Sequence, residues 1–204
     1  MAFEPFTSCT GVAAPMPGAN IDTDVIMPKQ FLKGIDRAGL DAGVFHGLRF
    51  GADGAPNPDF ILNQPSWRMA RFLVVGPNFG CGSSREHAVW GLRQLGIRAL
   101  VGTSFAGIFF DNCARNGLLA IEAAPDQVSA LMTLVSRPDS NQLTIDLISQ
   151  RISGEDFACA FDIDAPRKHA LVRGLDPIGV TLQSREAIAE FEAAHFARNP
   201  WLQP

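Results

Sequence analysis

One stretch of the chain concentrates groups that could do chemistry: Gly76-Pro-Asn-Phe-Gly-Cys-Gly-Ser-Ser-Arg-Glu-His87. Two adjacent hydroxyls, Ser83 and Ser84, are followed by the guanidinium of Arg85 and preceded by Gly80 and Gly82. Glycine accepts φ > 0 and lets a ligand approach the backbone closely. Ser83 with Glu86 three residues on is a capping-box pattern, which predicts a helix with Ser83 as its N-cap. The open amides of a helix start carry roughly half a positive charge. Arg85 adds a planar fork suited to a carboxylate. The segment therefore reads as an anion site, or as a well-capped helix start without chemistry.

The same spacing excludes several familiar chemistries. A dinucleotide fingerprint needs a third glycine where Arg85 stands, and a phosphate-cradling loop needs Gly-Lys-Ser/Thr. A nucleophile elbow needs glycine two residues after its serine, and neither serine has one. Cys81 and His87 lie on opposite sides of a strand–helix turn, which does not suit a thiol–imidazole pair. The cysteines at 9, 81, 113 and 159 and the histidines at 46, 87, 169 and 195 show no metal-ligand or redox spacing. They read as reduced thiols and scattered imidazoles. A second cluster, Asn20-Ile-Asp-Thr-Asp24, is rich in residues that build Asx-turns.

The elements that must position these groups follow from periodicity. Residues before 70 read as loop-rich, with Pro15, Pro17 and Gly18 breaking regularity and Gly51 to Pro58 dense in turn formers. Beyond them, Arg71 to Val75 reads as a buried strand, Ser84 to Leu95 as a helix, and Ile97 to Val101 as a strand. Ser104 to Asn116 reads as a helix, Leu118 to Ala123 as a strand, and Asp126 to Arg137 as a helix. Alternating β and α with short connections implies parallel strands covered by helices. Gln142 to Ser149 and Phe157 to Ile163 read as a hairpin, followed by helices over Pro166 to Leu175 and Ser184 to Arg198. In the last helix, Ile188, Phe191 and His195 share a face expected to dock on the core.

Composition narrows the class. The 204 residues carry 17 Lys+Arg and 21 Asp+Glu, a net charge of −4, with 47% hydrophobic and 19% charged residues. Such a balance speaks against phosphate-backbone binding, so no nucleic acid is expected. The longest uncharged apolar stretch, Ala99 to Phe110, is too short to span a bilayer. The first basic residue is Lys29, so no targeting segment is read at the start. A soluble, cytoplasmic protein without a membrane partner is expected.

GCGSSREH after a strand, NIDTDVIMP near the start and the FLK that follows resemble the small subunit of 3-isopropylmalate dehydratase, similar to the swivelling domain of aconitases. FDIDAPRKHALVRGLDPIGVTLQ and PNPDFILN extend the resemblance to nearly the whole chain. It implies an α/β aconitase-like swivelling domain (β/β/α layers) over residues 1–204, with an active-site turn between strand and helix. It implies a hydro-lyase of leucine biosynthesis that needs a large iron–sulfur subunit as partner and a small-molecule malate as substrate. The resemblance assigns the proton-abstracting base to Ser83 and carboxylate binding to Ser84 and Arg85. Asp24 would orient Arg85 or a water, and Asp22 would hold its loop. Phe31-Leu32-Lys33-Gly34 matches the loop that selects the substrate side chain, with Lys33 toward a carboxylate. The 4Fe-4S cluster is expected on the partner, and no cofactor or metal on this chain. Gly47-Leu48-Arg49 departs from the family's Asp-Trp-Arg, with Arg49 retained as a binding residue. A related hydro-lyase acting on 2-methylmalate, dimethylmalate or homoaconitate is therefore an alternative. A carboxylate-binding module without chemistry is another.

Overall fold

The computed structural model describes residues 3–33 and 37–203. Four parallel strands carry the part that matters for function: β1 (Ser8–Met16), β2 (Phe72–Val75), β3 (Ala99–Gly102) and β4 (Leu119–Glu122). Three antiparallel strands, β5 (Gln142–Asp146), β6 (Arg151–Gly154) and β7 (Phe157–Ala160), extend the sheet beyond β1 in the order β4-β3-β2-β1-β5-β6-β7. The helices are α1 (Thr23–Ile26), α2 (His46–Arg49), α3 (Glu86–Gln94), α4 (Gly107–Arg115), α5 (Pro125–Val135), α6 (Ala165–Arg173), α7 (Pro177–Leu182) and α8 (Arg185–Arg198).

Every residue of β2 and β3 is buried, as strands covered on both faces must be. Alternation sends Leu73, Val75 and Leu100 to one face, where they pack with Ala88, Val89 and Leu92 of α3 and Phe109 and Cys113 of α4. Phe72, Val74, Ala99 and Val101 go to the other, against Val128, Leu131, Leu134 and Val135 of α5. The predicted β2-α3-β3-α4-β4-α5 succession is what forms, with boundaries shifted by one to three residues. The mixed sheet layered against helices on both faces is the α/β architecture that the resemblance implies.

Three expectations are corrected. The loop-rich start contains β1, the strand at the centre of the sheet. It joins both halves: Ser8 to Val12 pair antiparallel with β5, and Ala13 to Met16 parallel with β2. Small residues and Pro15 hide it. The N–H of Ala13 bonds Asn141 on the β5 side, and alternation puts the nitrogen of Pro15 on that same side. Pairing with β5 has ended there, at Val12, so no donor is missed. The second correction is β6, which lies between the two expected hairpin arms and makes three strands of two.

The third concerns α8. None of its residues is buried, Phe191 is 64% exposed, and α8 packs on the turn Pro200–Leu202 rather than on the sheet. Ile188, Phe191 and His195 do share a face, and Phe191 stacks on His195, but the stripe is too short of aliphatics to pull the helix onto a core already sealed by α3 to α6.

Candidate active site

The loops leaving the carboxyl ends of β1, β2 and β3 gather at one end of the sheet, where open parallel sheets hold ligands. Residues 17–22 and 76–83 are tied together along their length. Asn20 N–H donates to the Pro77 carbonyl (2.9 Å), Gly80 N–H to Ile21 (2.8 Å), and Thr23 N–H to Cys81 (2.8 Å). Asp22 and Cys81 pair as an isolated parallel bridge. Asn78 donates through Nδ2 to Asn20 Oδ1 (2.8 Å) and through its N–H to Ser104 Oγ (2.9 Å), which brings in the loop after β3. Tight turns on both loops need left-handed residues: Asn20 and Asn78 supply φ of 56° and 57°, Gly80 and Gly82 of 78° and 88°. Gly80 also faces an aromatic wall, since a methyl there would lie 2.2 Å from Cγ of Phe109.

This stitching places the hydroxyls. Thr23, 1% exposed, donates through Oγ1 to the Ser83 carbonyl at 2.7 Å, so a buried side chain from one motif pins the backbone of the other. Ser83 and Ser84 are exposed. They line a cavity of about 150 Å³ with Thr23, Gly82, Arg85 and the first turn of α4, Gly107 to Phe109. A larger cavity, about 430 Å³ among Arg37, Trp90, Arg93 and Arg115, includes none of these hydroxyls.

Arg85 is held by Asp24 through two parallel bonds, Nη1–Oδ1 2.6 Å and Nη2–Oδ2 3.1 Å, with Met27 carbonyl as a third acceptor at 3.4 Å. The Arg85 side chain is 12% exposed and that of Asp24 44%. Such a fork-to-fork pair fixes the plane of the guanidinium as well as its position. Asp22 caps α1, its Oδ1 accepting from Val25 N–H at 2.8 Å, which is the loop-holding role expected of it.

The capping box at Ser83 is corrected. The N-cap of α3 is Arg85, in extended conformation and with no side-chain cap. Glu86 turns instead to Asn116, whose Nδ2 donates to Oε1 at 3.1 Å. The competing bond is tertiary, because Thr23, sixty residues away in sequence, binds the Ser83 carbonyl and draws the serine out of cap register. The amides of α3 are therefore not satisfied by Ser83 Oγ. The start of α4, capped by Ala106 with no side-chain bond, opens onto the same cavity. The sequence reading starts this helix at Ser104, whereas its N-cap is Ala106, so residue types alone do not reveal that its start is left open.

Among the described residues no three His, Cys, Asp or Glu side chains cluster as metal ligands. Cys113 and Cys159 are buried and Cys9 and Cys81 half-buried; burial pushes the Cys113 thiol well above its ordinary range. This cysteine set does not fit an iron–sulfur cluster, which takes several thiolates converging on one centre. No helix of the described residues is long and apolar enough to cross a membrane.

Residues 3–126 match the aconitase C-terminal domain, and residues 178–204 match the C-terminal domain of the 3-isopropylmalate dehydratase small subunit. The chain is 59% identical over 198 residues to 3-isopropylmalate dehydratase small subunit 1 of Mannheimia succiniciproducens, covering 97% of this chain and 98% of that one. It belongs to the 3-isopropylmalate dehydratase small-subunit family. Small subunit 2 of Salmonella typhimurium is 54% identical, over 97% of this chain and 95% of its own. The crystal structure of 3-isopropylmalate dehydratase from Methanocaldococcus jannaschii superposes with a TM-score of 0.67 at 26% identity, covering 91% of this chain and 99% of that one.

Within this small-subunit fold, two expected binding residues stand apart from the serine cavity. Arg49 donates through Nη1 to the carbonyls of Asp41 (2.9 Å) and Val44 (3.3 Å), and burial lowers its pKa, partly offset by Asp41. Its bonds hold the 41–49 segment together. Lys33 is exposed at the end of the turn Lys29–Leu32 and does not line the cavity. Gly34 lies outside the described residues. Phe31 and Leu32 pack partly buried against the core, Phe31 with its ring 5.0 Å from that of His46. Gly47 and Leu48, where the sequence departs from the family pattern, lie in α2 and do not reach the serines.

Proposed function

We propose that the chain is the small subunit of a cytoplasmic 3-isopropylmalate dehydratase, active only with its large subunit. The reaction interconverts 2-isopropylmalate and 3-isopropylmalate through 2-isopropylmaleate in leucine biosynthesis. The observation that carries this reading is the cavity in which Ser83, Ser84 and Arg85 meet, with Asp24 across the guanidinium, in a chain of this family. The 4Fe-4S cluster belongs on the large subunit, where it supplies Lewis acidity toward the departing hydroxyl.

On this chain, Ser83 is the base. Its alkoxide takes the proton from the carbon next to a substrate carboxylate as the hydroxyl leaves the neighbouring carbon. In the rehydration that follows, the same oxygen delivers a proton to the other carbon of the double bond, the one the hydroxyl left, so the hydroxyl ends one carbon away. An unassisted serine holds its proton far above neutral pH. Arg85, the N-cap of α3, and the uncapped start of α4 line the cavity, and fixed dipoles and charges of this kind stabilise a developing oxyanion strongly once water is excluded. Ser84 and Arg85 bind a substrate carboxylate, and Asp24 positions Arg85 for that contact. Lys33, exposed at the end of the turn Lys29–Leu32, meets a substrate carboxylate in this reading. Arg49 serves as a brace for residues 41–49.

The departure at Gly47-Leu48, in residues that do not line the serine cavity, motivates the competing substrates. The test is assembly with the large subunit and assay of each malate by the absorbance of the unsaturated product. Turnover of isopropylmalate in preference to 2-methylmalate, dimethylmalate and homoaconitate is expected. Turnover of one of those with none on isopropylmalate would overturn the leucine assignment, and carboxylate binding without turnover of any would leave a binding module.

A further inference from the structure

The polar half of the cavity has its residues, but a substrate distinguished by an isopropyl group also needs an apolar surface. Phe31 and Leu32, the pair expected to provide it, do not line the cavity and pack partly buried against the core: Phe31 packs on His46 and against Gly43, where a methyl would lie 2.6 Å from its Cγ. The serine cavity has a different apolar wall. Ile108, in the first turn of α4, lines it while 59% exposed. Of the other apolar side chains there, Ala106 is small and Phe109 is 3% exposed. Ile108 is the one large apolar side chain open to that cavity among the described residues.

Its position relative to the hydroxyls is fixed. Phe109, its neighbour, packs edge-on against Phe79 at 5.6 Å and leaves room only for a hydrogen at Gly80. The turn that carries Gly80 carries Ser83 three residues later. Ala106 N–H donates to the Phe79 carbonyl at 3.0 Å, tying the start of α4 to the same turn. The branched side chain and the serine pair are thus presented by one rigid unit. We propose that Ile108 is a specificity-determining residue that receives the substrate's alkyl branch, so that this chain, besides supplying the base, selects the side chain through α4.

The inference rests on the alkylmalate reading, and the experiment separates the two. Holoenzyme assembled with Ile108→Ala is compared with wild type on isopropylmalate and on 2-methylmalate, which has a single methyl in place of the branch. Loss of hydrophobic contact to a substrate branch costs about tenfold or more. The expected result is a fall of about tenfold in kcat/KM for isopropylmalate, mostly in KM, with less than about threefold for 2-methylmalate; Ile108→Val falls between. Equal losses on both substrates, weakened assembly with the large subunit that accounts for the loss, or no loss at all would overturn the role of Ile108 alone. A wild-type holoenzyme inactive on isopropylmalate would overturn the substrate reading, and this inference with it.

Discussion

Thr23 shows how a residue with no chemistry of its own can decide whether a base works. Its hydroxyl is buried and spends its one proton on the Ser83 carbonyl at 2.7 Å, fixing the backbone from which the hydroxyl proposed as the base hangs. Replacing it with valine keeps the shape and leaves that carbonyl without its donor, at a cost of about 1–2 kcal/mol in stability. Turnover of the assembled enzyme is expected to fall about tenfold, with KM changed less, since small misplacements of a reacting group are expensive. Thr23→Ser should restore both, which a purely volumetric role would not predict. Loss of stability with turnover unchanged would remove Thr23 from the site. The hydroxyl pair and Arg85 are legible in the sequence because their types carry chemistry, whereas Asp24 reads as a turn former and enters only through the resemblance. Thr23 is not legible, because a threonine between two aspartates reads as one more turn former. The link to Ser83 exists only once β1 and β2 lie side by side.

At the level of elements, the active-site turn depends on a glycine for two separable reasons. Gly80 has φ of 78° and stands against Phe109, whereas Gly54 has φ of 79° with nothing within 4 Å of its missing Cβ. Gly54→Ala therefore measures left-handed strain alone, about 1 kcal/mol. Gly80→Ala adds a steric conflict with a buried ring and is expected to cost about 3 kcal/mol or more, read by urea denaturation of the two variants. Equal costs would show that Phe109 yields. The β2-α3-β3-α4-β4 succession is readable because buried parallel strands and amphipathic helices have strong periods. β1 is not: Ser-Cys-Thr-Gly-Val-Ala-Ala-Pro-Met has few bulky β-branched residues, and its strand character comes from neighbours on both sides. The cap of α3 escapes a sequence reading because local capping competes with a tertiary bond from Thr23.

For the whole molecule, the sheet and its two cores are complete without the last helix. Ending the chain after Ser184 removes α8 and the Pro200–Leu202 turn, which bury no residue. The thermal midpoint of the isolated chain is expected to shift by no more than about 2 °C; a larger fall would mean that α8 docks on the body, contrary to its exposure. The body is arranged so that three strand ends present two motifs to a single cavity, and the proposed base lies in it. The direct measurement is kcat of the holoenzyme assembled with Ser83→Ala, alongside its assembly with the large subunit. Loss of a general base predicts a decrease of about 10²- to 10⁴-fold, or about 3–5 kcal/mol of barrier, with assembly intact. Turnover close to wild type would contradict it.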